Sequence, residues 1–327
     1  MSNVRGLAAV ACLVLSVAPA CKAKPAASGG NGTTGTQPAS PPAASAPSSA
    51  AATAAPAVPY TYAAPVKGHF KDVNVGDFDL VDGVAYPASD GSGTVVYVVN
   101  KPIASPVVSA AACPMTHARS LTVLRDAGWL ELTLDKAGRS KYFGKGTPFS
   151  GSGREDETGG NRYWSSSLKS AGGRAAGQVK HRDHGGFEFD LVLSAPKIAE
   201  VSEGDRSKGT QGDAKASVPS EADVVAAYQK VREAALRKDL AGVLAAQGFD
   251  EKEITAIRGL AGIDADLAVF ADRFLQPGTT GEFQNGPGIG GVTGVGANSK
   301  GAKFLNYYSF APCGDRLVLI SIGENPQ

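Results

Sequence analysis

No surplus of charge marks this chain. Its 327 residues carry 32 Lys and Arg against 31 Asp and Glu, a formal net charge of +1. A dedicated nucleic-acid binder needs a basic excess to neutralise phosphates, so nucleic acid is excluded as a partner. Charged residues make up only 19% of the chain, and no apolar run is long enough to span a bilayer as a mature helix. Histidine occurs only four times, and none falls between residues 219 and 327, which narrows acid–base and metal chemistry there. There is no G-x-S-x-G nucleophile motif; Gly151-Ser152-Gly153 lacks its spacing. What is present is a hydrophobic fraction of 43%, inflated by alanine, together with 41 Gly and 20 Pro. The length suits two domains.

Residues 1–20 read as a secretory signal. Arg5 supplies a short positive region, Gly6 to Val17 an apolar stretch, and Ala18-Pro19-Ala20 the small residues before a cut. With Cys21 directly after it, this stretch resembles the precursor of a bacterial lipoprotein. That resemblance implies cleavage before Cys21 and attachment of a lipid to it. The family usually has Leu three positions before the cysteine and a small residue two before it, where this chain has Ala18 and Pro19. Ala18-Pro19-Ala20 also suits the ordinary secretory peptidase, which would leave Cys21 a free thiol. In the Gram-negative members of that family an Asp after the cysteine favours inner-membrane retention. Lys22 stands there instead, so the resemblance implies an outer-membrane lipoprotein facing the periplasm or cell surface.

Residues 21–66 read as a lipid-anchored tether. From residue 26 to residue 66 there is no Asp, Glu, Lys, Arg or His, and up to Pro59 no aromatic residue. Such a segment cannot bury enough surface to offset its chain entropy, so disorder is expected, with an r.m.s. reach of at least ~35 Å. A second polar stretch, 200–218, reads as a linker between folded regions at 67–199 and 219–327.

The first region reads as mainly antiparallel β, a sandwich or partly open barrel carrying one helix. Thr94–Val99 is apolar throughout, Trp129–Asp135 alternates, and 175–181 pairs with 187–193 across a turn at 183–186. Helical spacing appears only over Thr116–Ala127. The second region runs helices first, with Ser220, Asp239 and Asp250 as caps and Asp264 opening a fourth helix, and strands last, at 281–283, 302–310 and 316–322. The opening ADVVAAYQKVREAALRKDL and the closing YYSFAPCGDRLVLISIG resemble the nuclear-transport-factor-like (SnoaL-like) fold. That resemblance implies an α+β cone, with helices packed on a curved antiparallel sheet. Enzymes of that fold often use Asp or His in the cone, which makes Asp264, Asp266, Asp272, Glu282, Tyr307 and Tyr308 the residues to inspect.

Few constellations suggest chemistry. Gly286, Gly288 and Gly291 spell G-x-G-x-x-G, but poor helix-forming sequence follows, and a glycine-rich hairpin is expected instead of a dinucleotide site. His181, Asp183 and His184 are weak metal candidates, because on a strand the two histidines point to opposite faces. His69 and His117 lie far away in sequence. Asp77, Asp79 and Asp82 fail the EF-hand pattern and read as solvent-facing carboxylates on an edge strand. Cys113 and His117 have one-turn spacing, yet Cys113 precedes Pro114, which disfavours helix at that cysteine. Of the four cysteines, Cys12 leaves with the signal. If Cys21 carries a lipid, Cys113 and Cys313 remain, either as a disulfide between the two regions or as two buried thiols.

The reading that best unites these features is a cell-envelope lipoprotein. It is bound to a membrane through its N-terminal lipid, needs no cofactor, and acts as a tethered non-catalytic binding module for another envelope protein. The alternative is an enzyme or small-ligand carrier using a pocket in the second region.

Overall fold

The computed structural model describes residues 65–88, 91, 93–138, 140–147, 150–155, 164–182, 186–198, 219–274, 284–286, 289–297 and 303–326. Its strands follow the side-chain period of two. β1 (Val66–Asp72), β2 (Gly76–Leu80), β8 (Trp164–Ser166), β9 (Lys169–Ala171), β10 (Arg174–Arg182) and β11 (Glu188–Pro196) form an outer sheet. Its order is β2-β1-β11-β10-β8, with β9 also paired to β10. β3 (Asp82–Pro87), β4 (Gly93–Val99), β5 (Trp129–Asp135), β6 (Ser140–Thr147) and β7 (Ser150–Glu155) form a middle sheet in sequence order. β12 (Gln284–Gly286), β13 (Ile289–Ala297), β14 (Lys303–Cys313) and β15 (Arg316–Pro326) form a third. All strand pairs within the sheets are antiparallel.

Three of the six described helices start where a side chain accepts from a free N–H group, and two others have proline in the first turn. α1 (Ser105–Val108) and α2 (Pro114–Leu124) both carry proline in the first turn, where its missing N–H costs nothing. The Ser220 side chain accepts from the Asp223 N–H and opens α3 (Glu221–Leu236). Asp239 does the same for α4 (Leu240–Ala246), accepting from Gly242 N–H. Asp250 and Glu253 form a reciprocal capping box at α5 (Glu251–Arg258). α6 (Ile263–Asp272) follows Gly262.

Strands β3 and β4 of the middle sheet are buried on both sides. Ala85, Val96, Val98, Leu130, Leu132 and Leu134 pack against Phe70, Leu80, Val179, Phe189 and Leu191 of the outer sheet. From the opposite face Val84, Tyr86, Val95, Tyr97 and Val99 join one core with Leu121 and Leu124 of α2, Tyr228 of α3, Phe270 of α6 and Phe310 of β14. A strand buried on both faces loses its alternation, which is why Thr94–Val99 is apolar throughout. Between these layers Lys145 pairs with Asp72 and lies 4.1 Å over the Phe187 ring. Burial alone would raise the Asp72 carboxyl, but Lys145 and the Asn74 and Val75 N–H groups hold it below its usual range.

This arrangement corrects the expected fold class. Among the described residues there are three small antiparallel sheets and six helices, and no closed barrel. The region from 219 onward is not a separately cored cone. Its helices and sheet close over the middle sheet and α2, so residues on either side of the 200–218 stretch share one hydrophobic core. Sequence alone could not reveal this, because the apolar faces of β3 and β4 are the same whichever neighbour covers them.

Candidate functional site

α2 organises the polar interior. Ten of its eleven residues are buried, leaving only Arg119 partly exposed. Its N-cap, Cys113, is bonded to Cys313 at the end of β14, with S–S 2.07 Å and Cα–Cα 5.8 Å across 200 residues of sequence. The two sulfurs form a small apolar cluster with Val318, apart from the main core. Gly314, at φ +60°, turns the chain from Cys313 back to its cross-strand partner Arg316.

One turn along α2 lies His117, 1% exposed, with its ring stacked 4.2 Å from Phe249. Neither ring nitrogen meets a partner at full hydrogen-bond geometry among the described residues, and the Gln247 backbone is the polar group acting most strongly on the ring. Burial pushes the imidazole down to about 4, against weaker opposing pulls from the Gln247 backbone and the Asp250 carboxylate. His117 is therefore neutral near pH 7. Next to it, buried Ser120 donates through Oγ to Oε1 of buried Gln247, whose Nε2 has no partner among the described residues. Gly248, at φ +85°, fills the space between His117 and the hairpin: a β-carbon there would lie 3.7 Å from His117 Nε2 and 3.6 Å from Arg316 Cδ. The disulfide, His117, Gln247 and Arg316 thus converge where α2, the α4–α5 connection and the β14–β15 hairpin meet.

The other end of α2 carries a second buried cluster. Arg125, its C-cap, donates through Nε to Asp266 Oδ2 at 2.9 Å, and through its guanidinium to the Pro102 and Ala261 carbonyls. Lys101 Nζ donates to Asp266 Oδ1 at 2.8 Å and to the Arg125 carbonyl at 2.6 Å. Asp266 is thus held by two cations. Of the other acid–base candidates, Asp264 is exposed, Asp272 half-buried, and Glu282 lies outside the described residues. Tyr308 is fully buried and donates to the Arg273 carbonyl at 2.5 Å, while Tyr307 is half-buried. Burial keeps the Tyr308 phenol protonated. Its ring packs 4.9 Å from Tyr228 and 5.2 Å from Phe274, which in turn lies 5.0 Å from Phe270.

Of the weak metal candidates only His181 falls within the described residues. His181 sits on β10 among Trp164, Phe187 and Phe189, while Asp183 and His184 lie outside the described residues. His69 lies 3.0 Å from Asp77 and 3.1 Å from Asp79 on the solvent face of the outer sheet. The same face carries two cross-strand rows in which acidic side chains alternate with imidazole or basic ones, Asp79-His69-Asp190-Lys180 and Asp77-Lys71-Glu188-Arg182. No group of three His, Cys, Asp or Glu side chains among the described residues is arranged to hold a metal ion. Asp82 corrects the expectation of a solvent-facing carboxylate. It is fully buried and accepts from the N–H groups of Gly83 at 2.8 Å and Ile103 at 2.7 Å. Gly286 and Gly291 lie on the antiparallel β12–β13 pair, with no helix after them among the described residues, and Gly288 lies outside those residues. Cys21 lies outside the described residues.

Lys101, Arg125, Gln247 and Arg316 were not legible as site residues. Nothing in their local sequence separates them from surface residues, and only tertiary pairing buries or positions them. Among the described residues no helix is long and apolar enough to cross a membrane. No protein-family model, curated protein or solved structure matches this chain.

Proposed function

We propose that this chain is a cell-envelope lipoprotein, anchored by a lipid on Cys21, that acts as a tethered non-catalytic binding module for another envelope protein. The address is read from residues 1–21 and the tether from the uncharged tract that follows. The observation that carries the non-catalytic part is the interior beneath the third sheet. Tyr228, Phe270, Phe274, Tyr308 and Phe310 fill it with buried rings. A ligand-carrying or catalytic reading needs that volume open. The solvent face of the outer sheet offers ordered rows of charge instead, with Val192, 55% exposed, among them.

The test is the intact mass of the protein purified from its native membrane fraction, alongside the Cys21→Ser variant. A mass equal to residues 21–327 plus acyl chains, lost together with membrane association in Cys21→Ser, supports the anchor. An unlipidated mature chain in the soluble fraction overturns it. A photo-reactive residue at position 192, activated in intact cells, should yield a discrete protein adduct; its absence counts against the binding reading.

A further inference from the structure

A lysine and an aspartate meet between two sheets. Lys145 lies on β6 of the middle sheet, opposite Leu130, and Asp72 ends β1 of the outer sheet. Their side chains are 13% and 2% exposed, and Lys145 Nζ donates to Asp72 Oδ2. In the pairs of Lys71 with Glu188 and Lys180 with Asp190 every partner is at least 35% exposed. The second carboxylate oxygen of Asp72, Oδ1, accepts from the backbone N–H groups of Asn74 at 2.9 Å and Val75 at 3.0 Å. The Phe187 ring lies 4.1 Å from Lys145 Nζ, with the Phe70 ring edge-on to it at 5.6 Å. A nitrogen nucleophile, a carboxyl carbon and two N–H donors on one carboxyl oxygen are thus fixed in a site nearly closed to water. Acyl transfer needs that arrangement: a nucleophile held in contact, and donors where negative charge develops.

We propose that Lys145 and Asp72 condense to an intramolecular amide, a covalent bond between β6 and β1. The pair rests as ammonium and carboxylate. Desolvation opposes that separation of charge, and one proton passes from Nζ to Oδ2 along the hydrogen bond between them. The neutral Nζ then attacks Cγ. Negative charge gathers on Oδ1, where the Asn74 and Val75 N–H groups receive it. The Cγ–Oδ2 bond breaks as Oδ2 takes a second proton from the nitrogen and leaves as water. The third proton stays on the amide nitrogen. Ammonium and carboxylate thus give amide and water, with no other reactant and no change of oxidation state. β1 is the first described strand, so a pull on the tether enters the fold through it. The amide carries that pull into the middle sheet without β1 peeling from β11, a consequence that rests on the tether reading, whereas the bond itself does not.

The experiment uses the full chain, folded, then denatured and digested, with the fragments weighed by mass spectrometry. The expected result is a branched peptide joining the segments of Asp72 and Lys145, lighter by one water than the two together. It should be absent from Lys145→Arg, whose guanidinium still pairs with Asp72 but does not condense, with near-ultraviolet circular dichroism reporting that the fold is kept. A second measurement needs no variant. Wild-type chain held in urea since synthesis should lack the branched peptide and gain it after refolding. Two linear peptides of full mass from the folded wild-type chain overturn the proposal and leave the pair a salt bridge. So does a branched peptide that persists in Lys145→Arg or is already present in urea. Neither readout involves the lipid or a partner, so a negative result leaves the proposed function standing.

Discussion

The guanidinium of Arg125 meets the carboxylate of Asp266 across 141 residues of sequence, Nε to Oδ2 at 2.9 Å, with the Arg125 side chain only 3% exposed. Together with the disulfide at Cys113, this pins α2 at both ends to the part of the chain beyond residue 219. Removing one partner of a buried ion pair leaves the other charge uncompensated, which costs about 3–5 kcal/mol. Asp266→Ala is therefore expected to lose about that much stability, and Asp266→Asn less, since its amide oxygen still accepts. Urea titrations should show a lower midpoint with an unchanged slope. A loss under 1 kcal/mol in Asp266→Ala would show that the pair is not holding α2.

His117 gives stability a defined pH dependence. Its imidazole titrates at about 4 in the folded chain, against 6.5 as the ordinary value. Between those values the unfolded chain binds a proton that the native chain does not, so stability falls as pH drops through that window. The contribution is complete above pH 6.5, and roughly 3 kcal/mol of it is lost by pH 4, at 1.36 kcal/mol per unit. The Asp250 carboxylate and the Gln247 backbone favour the imidazolium but do not offset the burial. His117→Phe keeps an apolar ring against Phe249 and removes the proton site. The stability difference between wild type and His117→Phe should therefore change by about 2.4 kcal/mol between pH 7 and 4.5. A pH-independent difference would mean that His117 is protonated in the native chain.

Asp82 should be intolerant of apolar replacement. Its carboxylate takes the N–H groups of Gly83 and Ile103 in a fully buried position where β3 meets the start of α1. Asp82→Ala strands these two donors, and loosens the longer contact from the Ser105 N–H at 3.4 Å, at about 1–3 kcal/mol for each stranded donor. Asp82→Asn keeps one acceptor oxygen and should recover part of the loss. Equal melting temperatures for the two variants would show that charge, not acceptance, matters at this position.

Legibility followed the range of the interactions. Ser220, Asp239 and Asp250 were readable as caps because a cap is decided by neighbours three residues away. β5, from Trp129 to Asp135, was readable because its alternation is local. Asp82 was misread because an acidic residue near a strand is solvated unless distant N–H groups converge on it, and Ile103 is 21 residues away. The helix α2 was legible only through Leu121, Leu124 and Ala127, the last of which lies beyond its end at Leu124. Its burial depends on β15, α1 and α6, so Thr116, His117 and Ser120 look like a solvated face in the sequence. The shared core escaped notice for the same reason: a polar stretch at 200–218 resembles a domain boundary whether or not the flanking segments pack together.

The approach of β13 to α3 supplies the last test. Gly290 is buried, and a β-carbon there would collide with the side chain of Val224. Val224 is itself fully buried in the shared core, so it cannot swing into solvent. Gly290→Ala should therefore cost about 1–3 kcal/mol through overpacking. Val224→Ala should cost a similar amount through lost apolar contact. Combined, the two changes relieve the collision, and the double variant should be more stable than the sum of the single losses allows. A double-mutant cycle measured by urea unfolding reads this coupling directly, with about 1 kcal/mol or more expected. Simple additivity would place Gly290 and Val224 out of contact and remove the close packing of β13 on α3.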